Sequence, residues 1–418
     1  MFAPQLMDAI RDRFLHVDAC PFSGPRIYFE NAGGALTLKS VVDVTTQLAG
    51  IPDNQHRDNP ASHELERIIE EARDNMRLFL GVESGPVFIG ESGTELLFRM
   101  VRAAALGTAE GGNMIGSTLE HPSTASAGKR WAEVTGREYR TVVHDNDTGL
   151  VTAADYAGMT DANTRVATVI QTNPITGMSI DLEAVVRAIR DASPDCIVIL
   201  DGIQHAAHGG LEVDSYDIDG YAVSAYKAFS RHNYGFAWVS PRLATLPHDQ
   251  LAGTPADHWE LGTRDTSAYA CTTRVIEYMD WLGSHFTVNN DRRERLLAAG
   301  QAVSEHEHDL VELMINGNID QQGLRNLPGI FIVGGADNPA REGLVSFIVE
   351  GVPCTDLVAE LNARGIRLHT READYYSRNV LDPLGQPTCV RASLCHYNTA
   401  EEVLRFLAET SNIIQTRS

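Results

Sequence analysis

Asp201 closes the apolar run Cys196-Ile-Val-Ile-Leu200, and Lys227 follows it by 26 residues in Ser224-Ala-Tyr-Lys227. An Asp at the carboxyl end of a buried parallel strand lies where open α/β sheets place their ligands. Taken singly, such an Asp is as readily a cap for the next turn, and such a lysine is more often simply exposed. Taken together they offer an amine able to form a Schiff base and a carboxylate able to keep a ring nitrogen protonated. Pyridoxal phosphate asks for both. It also asks for phosphate donors at a strand–turn–helix junction. Glu91-Ser92-Gly93-Thr94 supplies hydroxyls and the N–H groups of a helix N-terminus, although many helices start this way.

These groups need a scaffold, and the chain alternates short β-rich runs with helical stretches. Strands are predicted at 27–29, 87–89, 113–117, 164–171, 196–200, 221–224 and 235–239, with helices at 62–80, from 93, through Trp131 and over 181–191. Apolar strands without alternation, separated by helices, predict a mostly parallel sheet covered on both faces. Beyond Tyr269 the pattern predicts one long helical tract from Ala270 to Met314. Strands at 329–333, 344–349, 366–369 and 389–393 follow, with helices at 354–364 and 400–407. The expected organisation is a large cofactor-binding domain over residues 20–285. A small domain would combine the N-terminal helix (1–19) with an α+β C-terminal part (286–418).

Lys plus Arg number 34 against 56 Asp plus Glu, a formal charge of −22 that argues against a nucleic-acid partner. The six cysteines form no CxxC pair and no dense framework, so free thiols in a reducing compartment are expected, and no metal. The N-terminus lacks the apolar core of a signal peptide, and no 18-residue apolar run occurs, so the expectation is a cytoplasmic protein without a membrane span.

Seven segments, in order, make the chain resemble the class V, cysteine-desulfurase-like pyridoxal-phosphate enzymes of fold type I. They are Tyr28-Phe-Glu-Asn-Ala32, Ser92-Gly-Thr-Glu95, Glu120-His-Pro-Ser123, Asp201-Gly-Ile-Gln204, Ser224-Ala-Tyr-Lys227, Glu260-Leu-Gly-Thr263 and Val390-Arg-Ala-Ser-Leu394 with Tyr397-Asn-Thr399. The resemblance implies that Lys227 forms the internal aldimine and moves protons, that Asp201 holds the ring nitrogen, and that Gln204 bonds the ring hydroxyl. His121 would stack on the ring and share in proton movement. Gly93, Thr94 and Ser224 would hold the phosphate, with Tyr226 where most desulfurases have a histidine. Thr263 would reach the phosphate of a neighbouring subunit in a homodimer. Arg391 and Asn173 would hold the substrate carboxylate beside Ala32.

One departure stands out. Desulfurases carry a persulfide-forming thiol on a mobile loop shortly before this arginine, and His369-Thr-Arg-Glu-Ala-Asp-Tyr-Tyr-Ser377 has no cysteine. Cys389 is expected to be a packed strand residue. Arg371 and His369 occupy the loop instead, facing an acidic substrate side chain or paired with Glu372 and Asp374. The expected reaction is loss of a sulfinate-like group from Cβ of a small L-amino acid without a persulfide. A class V aminotransferase or amino-acid epimerase is the alternative.

Overall fold

The computed structural model describes residues 1–417. Seven strands form the central sheet, in the spatial order Val87–Gly90, Gly235–Val239, Gly220–Ser224, Ile197–Asp201, Thr164–Ile170, Asn113–Ser117 and Glu138–Val142. Six run in one direction, and Gly235–Val239 lies antiparallel to both neighbours. The four strands from Val87–Gly90 to Ile197–Asp201 in that order are buried at every position. That is why they read as unbroken apolar runs and not as alternating ones. Parallel strands need crossovers, which helices Gly93–Gly107, Pro122–Val134 and Leu182–Ala192 provide.

The expected single tract from 270 to 314 is two helices, Thr266–Gly283 and Arg292–Asn316. The break has a local cause: Asp291 caps the second helix by accepting from Glu294 N–H at 3.1 Å. A Cβ at Gly283 would also meet the Arg295 backbone, so the two helices cross closely there.

A second, antiparallel sheet has the order Ile330–Ile332, Leu344–Val349, Thr388–Ser393 and His369–Glu372. Helices Cys354–Ala363 and Ala400–Arg417 cover it around Phe347, Leu357, Leu361 and Phe406. The expected strand 366–369 is two strands in different sheets. Ile366–Arg367 pairs in parallel with Ile27–Tyr28, whereas His369–Glu372 joins the four-stranded sheet. The stretch around Arg371 is therefore a strand and a turn, with Arg371 in register with Cys389 and His369 with Arg391.

Buried side chains tie the chain start to both units. Ile10, Phe14 and Val17 pack in the core of the large sheet, while Ile27 and Phe29 pack with the small one. No helix among the described residues is long and apolar enough to cross a membrane.

Candidate active site

The carboxyl ends of the central strands converge. In register, Gly235 lies opposite both Gly90 and Ser224, and Ile170 lies beside Asp201. The strands ending at Gly90, Ser117, Asp201 and Ser224 each lead into a turn that delivers polar residues to one cleft. Thr94, His121, Asp201 and Gln204 line it, and so do Ser224, Tyr226 and Lys227.

Lys227 is 6 % exposed and donates from Nζ to Gln204 Oε1 at 3.1 Å. Burial, reinforced by the charges of Arg391 and Arg371 and opposed by Asp201, lowers its pKa to about 7. Asp201 accepts from Thr124 Oγ1 at 2.8 Å and from Ile203 N–H at 3.1 Å. Burial raises its pKa, and those two hydrogen bonds oppose the rise.

His121 caps helix Pro122–Val134, its Nδ1 accepting from Ser123 N–H at 3.1 Å. The ring is therefore neutral with its proton on Nε2. Burial first, then Lys227 and Arg371, lower its pKa to about 3. Tyr376 packs edge-on against it, ring centroids 4.8 Å apart. Tyr226 stacks on His232 at 4.5 Å.

The turn after strand Val87–Gly90 is equally specific. Ser92 caps helix Gly93–Gly107, which leaves the Gly93 and Thr94 N–H groups without intrahelical acceptors. A Cβ at Gly93 would lie 2.3 Å from Ser224 Oγ and 2.4 Å from Ile203 Cδ1, so a side chain there would displace both.

Arg391 is 3 % exposed on strand Thr388–Ser393, and its Nη1 donates to Pro174 O at 3.0 Å. Its Nε has no partner. Ala32 sits beside it: Ala32 N–H donates to Ser393 Oγ at 2.8 Å, and a Cβ on Gly33 would lie 3.6 Å from Arg391 Nη2. Asn173 holds the same corner, accepting from the N–H groups of Ile175 and Thr176 and donating to Leu119 O. Arg371 lies over the Tyr376 ring at 4.0 Å and donates to Ser377 Oγ at 2.7 Å. Thr263 lies exposed on the turn before helix Thr266–Gly283 and does not line its own chain's cleft. Its neighbour Arg264 pairs with Glu91, just before the turn at Gly93.

The residues present fit pyridoxal phosphate on three independent counts. These are a buried amine of lowered pKa, a glycine cradle at a helix N-terminus, and a buried carboxylate, Asp201, braced by Thr124. Several contributors were not apparent beforehand. Thr124 lies in the helix just after His121, where only the folded crossover shows that it reaches Asp201. Tyr376, which packs on His121, carries no motif.

The profile of the class-V aminotransferases matches residues 27–406. A cysteine desulfurase of Synechococcus elongatus is 26 % identical over 416 residues, covering 94 % of this chain and 61 % of that longer protein. A probable cysteine desulfurase of Vibrio cholerae is 24 % identical, covering 96 % of this chain and 97 % of its own length. The apo structure of the cysteine desulfurase from Thermococcus onnurineus superposes with a TM-score of 0.80 at 21 % identity, over 100 % of this chain and 99 % of the other. That likeness speaks for the fold, which is fold type I. With a family match over most of its length and a site that fits the cofactor, the chain belongs to the class V aminotransferases and is a pyridoxal 5′-phosphate-dependent enzyme.

Proposed function

We propose that the enzyme removes a sulfinate-like group from Cβ of a small L-amino acid without forming a persulfide. When bound, the cofactor supplies an electron sink for bonds at the substrate's α-carbon. The chain supplies the rest. Arg391 binds the α-carboxylate through its unused donor, beside the Ala32 turn and the Asn173 corner. Asp201, braced by Thr124, keeps the ring nitrogen protonated. Lys227, near pKa 7, moves protons at neutral pH, whereas His121 at about 3 is too weak a base and serves as a neutral, hydrogen-bonded face. Thr263 completes the phosphate site of a second subunit in a homodimer.

The observation that carries this reading is Arg371. Its side chain is 13 % exposed and rests on Tyr376, which in turn packs on His121, and the carboxylate paired with it, Asp374, is 3.8 Å away. A cation so placed and so weakly neutralised suits an anionic substrate side chain. No thiol lies in the 369–377 stretch, and the neighbouring strand's Cys389 is buried, its pKa pushed up to about 12 by desolvation. Breaking the Cβ–S bond with its electron pair left on carbon, which then takes a proton, yields alanine. The sulfur departs as sulfur dioxide, hydrated to sulfite, so no thiol acceptor is consumed.

Holoenzyme given L-cysteine sulfinate should release alanine and sulfite in equal amounts with no added thiol or keto acid. Arg371→Met should lower kcat/KM for cysteine sulfinate by roughly tenfold or more while sparing an uncharged analogue. Conversion of the cofactor to its pyridoxamine form with a keto-acid requirement would establish an aminotransferase instead. Racemised substrate would establish an epimerase.

A further inference from the structure

Away from the cleft, a cavity of about 530 Å³ opens between the turn after helix Cys354–Ala363 and the hairpin that pairs Ala19–Cys20 with Gly24–Pro25. That volume is typical of small-molecule sites, which span about 300–1,000 Å³. Arg26, Arg364 and Arg367 line it with Ser23 and Asn362, and no carboxylate does among the described residues. None of its residues lines the cofactor cleft. The parallel pairing of Ile27–Tyr28 with Ile366–Arg367 brings the arginines together. Ile27 N–H donates to Gly365 O at 2.8 Å, which sets Arg26 beside the Arg364–Gly365 turn. A fourth guanidinium reaches the same turn, Arg405 Nη2 donating to Arg364 O at 2.8 Å.

Positive charge gathers here in a chain whose formal charge is −22. Part of it is neutralised nearby. Arg364 pairs with Glu409 at 2.5 Å and with Glu360 at 3.6 Å, and Arg367 Nε donates to Glu30 Oε2 at 3.0 Å. The rest is not. Among the described residues the Nη groups of Arg367 take no partner, and neither Arg26 nor Arg405 has a carboxylate. Arg26 rests on the Tyr28 ring, its Cζ 4.5 Å from the centroid. Its Nη1 is buried without a hydrogen bond, and no protein acceptor reaches its Nε or Nη2. A guanidinium so seated is oriented before any anion arrives, which lowers the ordering cost of binding one.

We propose that this cavity binds a small phosphorylated molecule, its phosphate held by Arg26 and Arg367. A guanidinium presents paired N–H donors that match two oxygens of a phosphate, and two such forks can grip one tetrahedral group from different sides. A phosphate dianion also compensates the two cations that have no carboxylate. A carboxylate brings one charge and one planar edge, enough for a single fork. Ser23 and Asn362 offer hydrogen bonds along the wall to the remainder of the molecule. The site shares no residue with the cleft, so its test is independent of the reaction catalysed.

The test is calorimetric titration of the cofactor-loaded enzyme, in which the cofactor's own phosphate is already bound, at constant ionic strength. The probes are inorganic phosphate, glycerol 3-phosphate and adenosine 5′-monophosphate. At least one should bind saturably, at one site per chain, with a Kd of about 1 mM or tighter. Arg26→Met should weaken that binding roughly tenfold or more, and Arg367→Met, a second variant should the first not fold, should do the same. Arg130→Met, an exposed arginine on helix Pro122–Val134, should bind as the parent does. Inorganic phosphate binding as tightly as the esters assigns the site to the free anion, and tighter esters assign it to a phosphorylated metabolite. No saturable binding of any probe, parent-like affinity in the folded Arg26→Met and Arg367→Met variants, or acetate competing as well as phosphate overturns the proposal. So does binding of a polyglutamate peptide where all three phosphates fail, which would make the cavity a protein contact.

Discussion

Thr124 Oγ1 donates to Asp201 Oδ2 at 2.8 Å, joining the helix capped by His121 to the carboxyl end of a central strand. The hydroxyl stabilises the ionised carboxylate in a setting where burial favours the neutral form. Thr124→Val should therefore weaken cofactor binding by about 1 kcal/mol, roughly fivefold in Kd, with little loss of fold stability. Equilibrium titration of the apoprotein with pyridoxal phosphate, followed by absorbance, measures it. Asp201→Asn should abolish turnover while the cofactor still enters.

Lys227 links the site to pH in a defined direction. Its folded pKa of about 7 lies below its ordinary 10.5, so between those values the unfolded chain binds the extra proton. Stability of the apoprotein should therefore rise with pH from 7 toward 10, and the burial penalty should be complete below 7. Melting temperatures of the apoprotein and of Lys227→Met across that range should diverge, the variant lacking the slope. Lys227→Ala should lose all turnover yet retain some non-covalently bound cofactor.

Arg391 is buried, and its hydrogen bond is to a neutral carbonyl, that of Pro174. Burial lowers its pKa, the mark of a cation short of compensation. Arg391→Met should raise KM roughly 100-fold through the lost carboxylate contact. The same substitution should stabilise the apoprotein by on the order of 1 kcal/mol, since an uncompensated buried charge is removed. Steady-state kinetics and urea unfolding check the two halves separately.

Gly93 offers a steric test. A methyl group there would press into Ser224 Oγ and Ile203, at the junction where helix Gly93–Gly107 begins. Gly93→Ala should cost about 1–3 kcal/mol of stability and weaken phosphate binding, whereas Gly111→Ala, which would meet no neighbouring atom but sits at φ 71°, should cost stability only. Thermal melting and phosphate competition against cofactor uptake separate the effects.

Much of this protein was legible along the chain because its information is local. Strand Gly235–Val239 begins and ends where its apolar run does, since burial on both faces selects uninterrupted hydrophobicity. Asp201 and Lys227 declared themselves as residues at the ends of such runs, and the missing thiol between 369 and 377 was a matter of composition. Tertiary structure alone decided the rest. Local pattern could not split 366–372 between two sheets, because the partners that divide it, Ile27–Tyr28 and Thr388–Ser393, lie far away in the chain. Nor could it bring Thr124 to Asp201, Tyr376 to His121, or Glu307 to His208. Contacts between residues 77 to 255 positions apart form only after the apolar faces have packed and excluded water, and no spacing along the chain encodes them.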